Sequence, residues 1–134
     1  MSASNSTEND ILKLICAGVD PAWRAAATGY LALFTADPGE AGGLAAECAY
    51  TGYARVPVTK ATGWTDNGSS FANAALVQWP QCTGGSSVAT HFAWVSSASG
   101  ATDYMVSGAL SASLSISNGI QPQAAAGSLV LTAD

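Results

Sequence analysis

Ionisable side chains are scarce in this chain: 10% of its 134 residues are charged, and His91 is its one histidine. General acid–base chemistry needs positioned titratable groups, and nine carboxylates scattered without a motif spacing do not supply them. No GxSxG surrounds any serine, which removes the nucleophile elbow of a serine hydrolase. The glycines of CTGGSS (82–87) do not open a helical pattern, so no phosphate-cradling loop is expected there. TDNGSS (65–70) has the oxygens of a calcium loop but a single carboxylate, Asp66, and reads as a turn. His91 has no second His or Cys at a ligand spacing and is expected to make a structural hydrogen bond in a strand. Neither catalysis nor a metal or cofactor is expected.

Cations are fewer still. Lys13, Arg24, Arg55 and Lys60 are the only four, against a net charge of −5 and a sequence pI near 4.4. That leaves no footprint for neutralising phosphates, so direct nucleic-acid binding is not expected; an acidic surface suits solubility or docking onto a basic protein. No run approaches the ~18–20 apolar residues of a membrane span, which argues against a membrane partner. Met1–Asp10 lacks the basic and apolar regions of a secretory signal, so function without export by that route is expected. Cys16, Cys48 and Cys82 form no CxxC and are odd in number; small buried hydrophobes are expected, with one disulfide left open. Neither heptads nor a long repeat occurs, so the chain builds no shaft of its own.

What is abundant is apolar side chain, 49% of residues with a mean hydropathy of +0.24, distributed in short segments between Gly, Ser, Asn and Pro. Residues 1–5 read as a flexible arm and Ser6–Ala17 as a helix capped by Ser6 or Asn5 and ended by Gly18. Ile11, Leu14 and Ile15 form its apolar stripe, with Leu12 on the flank. A helix this short is marginal alone and needs a surface to cover that stripe. After Asp20-Pro21 the reading is strands. They fall at Tyr30–Phe34, Arg55–Lys60 (an edge or bulge, given Pro57), Phe71–Trp79, Val88–Ser96, Tyr104–Leu110, Ala112–Ile116 and Ser128–Thr132, with a hairpin signal at SNG (117–119). In Val88–Val95 the alternation predicts Val88, Thr90, Phe92 and Trp94 on one face and Ala89, His91, Ala93 and Val95 on the other. Short strands at this spacing predict an all-β, antiparallel β-sandwich of jelly-roll type, with residues 1–20 as arm and helix and 21–134 as one sandwich domain. Trp79 and Trp94 are expected in the core. Trp23 and Trp64, beside turn residues, are expected to anchor a partner or stack on a sugar. Ile11, Leu14, Ile15, Trp23 and Trp64 are therefore the candidate contacts.

Several stretches carry a resemblance: LALFTADPGEAGG (31–43), YTGYARVPV (50–58), the apolar strand ending at Trp79-Pro80, ATHFAWVSSASG (89–100) and SGALSASLSISNGIQPQAAAGSL (107–129), followed by a short C-terminal strand. In order and spacing the chain resembles a family of short virion proteins of tailed bacteriophages, often labelled tail fibre, some of them small head-decoration proteins. It departs where a bulky aromatic or charged residue is expected after Pro122-Gln123 and Ala124 stands instead. The resemblance implies a virion structural protein made in the host bacterial cytoplasm. Without a shaft, the expected role is capsid decoration: a cement on the outer capsid surface, as a dimer or trimer, bridging subunits of the major capsid protein. The alternative is a tail-associated adhesin binding a host receptor or glycan.

Overall fold

The computed structural model describes residues 3–41, 43–101 and 103–133. Helix α1 runs Asn5–Ala17. It begins one residue before the expected start, and its cap is Ser4 in place of Ser6 or Asn5, because the Ser4 hydroxyl accepts the Thr7 N–H at 3.3 Å. Gly18, at φ 66°, closes the other end: its N–H reaches the Leu14 carbonyl and the Val19 N–H that of Lys13, both at 3.2 Å. Met1 and Ser2 of the expected arm lie outside the described residues. The rest of that arm is tied down. Ala3 is buried and pairs with Val106, the Ser4 N–H donates to the Met105 carbonyl at 3.1 Å, and Asn5 to that of Glu40 at 2.9 Å. Thr7 is the helix's only buried residue, so the apolar stripe is largely uncovered.

The remainder is the expected antiparallel, sandwich-like β-structure. Its strands are β1 (Thr28–Phe34), β2 (Val56–Thr59), β3 (Trp64–Asp66), β4 (Ser70–Asn73), β5 (Val77–Gln78), β6 (Ser86–Val95), β7 (Val106–Ser117), β8 (Gln123–Ala124) and β9 (Val130–Thr132). They form sheets of order β2-β1-β6-β7, β3-β4-β9 and β5-β8. Pro57 sits in β2, an outer strand of the four-stranded sheet, where a missing N–H costs least. Four successive residues of β1, Leu31–Phe34, are buried because both sheet faces are covered. Leu31 and Leu33 join Phe92, Trp94, Trp79, Tyr50 and Leu129 in the main core, which all three sheets share. Ala32 and Phe34 pack on the other side with Ala93, Val95 and Tyr104.

Four strand expectations are corrected. The β6–β7 register slips between Ala89 and His91, which pair with Leu114 and Ala109. Beyond that bulge the faces exchange, so Ala89 joins Phe92 and Trp94 in the core while Val88 is 52% exposed. The segments read as two strands around Ser111 are one strand, β7, with its extra residues opposite Thr90. Phe71–Trp79 is broken: β4 and β5 lie in different sheets. Gly119 does turn the chain, at φ 91°, but not into a hairpin, because β8 pairs with β5. Ala124, where a bulkier residue was expected, is buried opposite Val77. The cysteines are all free; Cys48 and Cys82 are buried as expected, whereas Cys16 is exposed on the uncovered side of α1.

One ion pair is built into the structure beside β1. Glu47 accepts from Arg55 Nε and Nη2, both at 2.8 Å, and from the Tyr53 hydroxyl at 2.7 Å. The Tyr53 oxygen in turn accepts the Leu33 N–H at 3.1 Å. Arg55 also donates to the carbonyls of Ser97 and Gly100, fastening that loop. Burial, and then the bond to Glu47, raises the Tyr53 phenol above its ordinary value. Burial pushes Tyr50 up to about 12, and raises the Cys48 thiol. These groups hold their protons in the folded chain after the unfolded chain has released them. Their contribution is therefore complete below their unfolded values and is lost as pH rises through the folded ones. The urea midpoint is expected to hold level near neutral pH and to fall between roughly pH 9 and 12, beginning at the ordinary thiol range. A midpoint unchanged at pH 11 would contradict this assignment.

Candidate docking surface

The arm's hydrogen bond to Met105 and its bridge to Val106, the first residue of β7, set α1 beside the sandwich and leave a groove of about 590 Å³ between them. Ala3 of the arm and Thr7 and Ile11 of α1 form one wall; Trp64, Phe71, Trp94, Val106 and Leu131 come from the strands, and Trp23, Arg24 and Lys60 from the connections. Its lining is almost wholly apolar. Trp94 forms part of the floor, with its ring over Gly29, where a Cβ would stand 2.2 Å from that ring. Trp64 meets it edge-on, with centroids 5.1 Å apart and planes at 86°. Trp23 is held by its indole N–H on the Asp10 carboxylate of α1, at 3.0 Å, while its carbonyl accepts from the Lys60 ammonium. Arg24 pairs with Asp20, four residues earlier, on the exposed rim.

Three of the five expected contact residues, Ile11, Trp23 and Trp64, meet in this groove. The other two part company. Leu14 is half-buried and Ile15, 73% exposed, points outward with Leu12 and Val19. Phe71, Leu131, Met105 and Lys60 were not singled out by the sequence reading. Their joining depends on β4 pairing with β9 and on the arm reaching β7, pairings that no local pattern announces. A sugar ring needs several well-placed hydrogen-bonding groups, so a groove this poor in them suits apolar side chains better. The other sites read from sequence are structural. Asp66 accepts the Gly68 N–H at 2.8 Å in the β3–β4 turn, and His91 Nδ1 lies 2.8 Å from the Thr90 hydroxyl. Among the described residues no group of three His, Cys, Asp or Glu is placed to hold a metal, and no helix is long and apolar enough to cross a membrane.

The fold is that of a small sandwich-like β-scaffold carrying one apolar groove. The family model described as "Podophage GP4 fiber I protein gp80" matches residues 2–132, and the chain belongs to that family. It is a structural component of a phage virion, of a kind labelled as fibre. No curated protein matches it significantly.

Proposed function

We propose that the chain works in the tail-fibre apparatus of a short-tailed phage, where it contributes to contact with a host receptor or glycan. The observation that carries this reading is the family's fibre description, which spans residues 2–132 and so attaches to the sandwich itself. The reading ranks above the capsid-cement role expected from the missing shaft. A fibre part needs no shaft within its own sequence if reach comes from assembly with other copies or other virion proteins. The role is binding without catalysis, cofactor or metal, consistent with a single histidine hydrogen-bonded to its neighbour. Its partners are virion proteins and the host surface, and neither nucleic acid nor lipid bilayer is required.

Particles made without the protein test the reading through two assays. Adsorption to host cells is expected to fall while the heated particles keep their DNA as wild-type particles do. Normal adsorption with premature loss of DNA on heating would overturn the fibre role in favour of capsid cementing.

A further inference from the structure

Leu12 and Ile15, three residues apart, form a ridge on the outer face of α1, and Val19 lies just past it, beyond the Gly18 cap that ends the helix. They are 60%, 73% and 52% exposed. Glu8 lies one turn before Leu12 on the same line and has no ion-pair partner among the described residues. Across Ile11 from this ridge runs the tryptophan-lined groove, with Lys60 and Arg24 at its edge. Lys60 likewise has no ion-pair partner among the described residues, and Arg24 is committed only to an exposed pair of the kind worth little in water.

We propose that the occupant of the groove is a second copy of this chain. The α1 ridge of one copy seats in the groove of the other, Leu12 and Ile15 lie over the tryptophans, and Glu8 meets Lys60 and Arg24. Amphipathic helices bind apolar grooves through anchors at this spacing, and the chain presents both such a helix face and such a groove. The charges agree with that placement: an unpaired carboxylate leads the ridge, and half of the chain's four cations line the receiving groove. Ridge and groove lie side by side, so two copies can exchange them reciprocally about a two-fold axis, and a closed ring uses the same contact. The inference concerns the isolated chain and does not rest on the fibre reading. Failure of the adsorption test leaves it standing.

Sedimentation velocity on the full chain at tens of micromolar tests it. The wild type is expected to sediment as a discrete oligomer, and the double variant Leu12→Asp with Ile15→Asp as a monomer with unchanged circular dichroism. Lys60→Glu is expected to weaken association by roughly tenfold, and adding Glu8→Lys to restore most of it, since the pair is then reversed. The rescue separates a charge contact from general damage to the groove. A monomeric wild type overturns the proposal, as does an oligomer indifferent to the ridge substitutions. A monomer whose groove binds cis-parinaric acid, with the acyl probe lost on Lys60→Glu, overturns it in favour of an anionic lipid-like ligand.

Discussion

Trp79→Ala is expected to lower the stability of the folded chain by about 3–5 kcal/mol, which is a large part of what a domain of this size has. Trp79 is completely buried in the core that the three sheets share. Its indole N–H donates to the Leu31 carbonyl of β1 at 3.0 Å, and its backbone N–H to Pro122 at 3.0 Å. One residue, directly after β5, thus ties the two-stranded β5-β8 sheet to the four-stranded one, its backbone holding the former and its indole the latter. Truncation removes both the apolar volume and the indole bond, and the small strands around it offer little mass to collapse into the space. Trp79→Phe keeps most of the apolar contact and loses the bond, worth about 1 kcal/mol plus a small cavity. Urea unfolding of both variants measures the difference. A Trp79→Ala midpoint close to that of Trp79→Phe would mean that the core relaxes around the gap.

Glu47→Gln is the second large effect, again about 3–5 kcal/mol, because it strands the Arg55 charge. The Arg55 side chain is 5% exposed and that of Glu47 15%, so water replaces little of what the carboxylate supplies. The amide can still accept from Tyr53 or from one guanidinium nitrogen, but not as an anion from both. Arg55→Lys is no remedy, since an ammonium cannot reproduce the forked contact with Glu47 while also reaching Ser97 and Gly100. The double variant Glu47→Gln with Arg55→Met is expected to recover at least half of the loss, because no buried charge remains. Urea unfolding of the single and double variants completes the cycle. A Glu47→Gln protein as stable as the wild type would show that the pair contributes little.

Legibility of the fold followed the reach of each signal along the chain. The α1 helix was readable from local chemistry, with Gly18 at its end, and the cap was misplaced only because Ser4 and Ser6 are equally suited by type. Phe92 and Trp94 were readable as core from strict alternation. Val88 and Ala89 were not, because a bulge exchanges faces without leaving a mark in the pattern. The break between β4 and β5 was hidden in an unbroken run of small and apolar residues, Ala74 to Leu76, where no Gly or Pro signals a turn. Glu47 and Arg55 looked like two scattered charges; the turn at Tyr50–Tyr53 that brings them together is carried by Gly52, at φ 95°. The groove was half legible. Ile11, Trp23 and Trp64 stood out as an uncovered helix residue and loop aromatics, while Phe71 and Leu131 entered only through the pairing of strands sixty residues apart in sequence.

Counting copies of the protein per particle, by quantitative mass spectrometry of purified virions against a tail protein and the major capsid protein, tests the central claim most directly. A fibre component is expected in step with the tail protein, as a small fixed number per particle. A count in the hundreds, scaling with the major capsid protein, would contradict the account and place the chain on the shell.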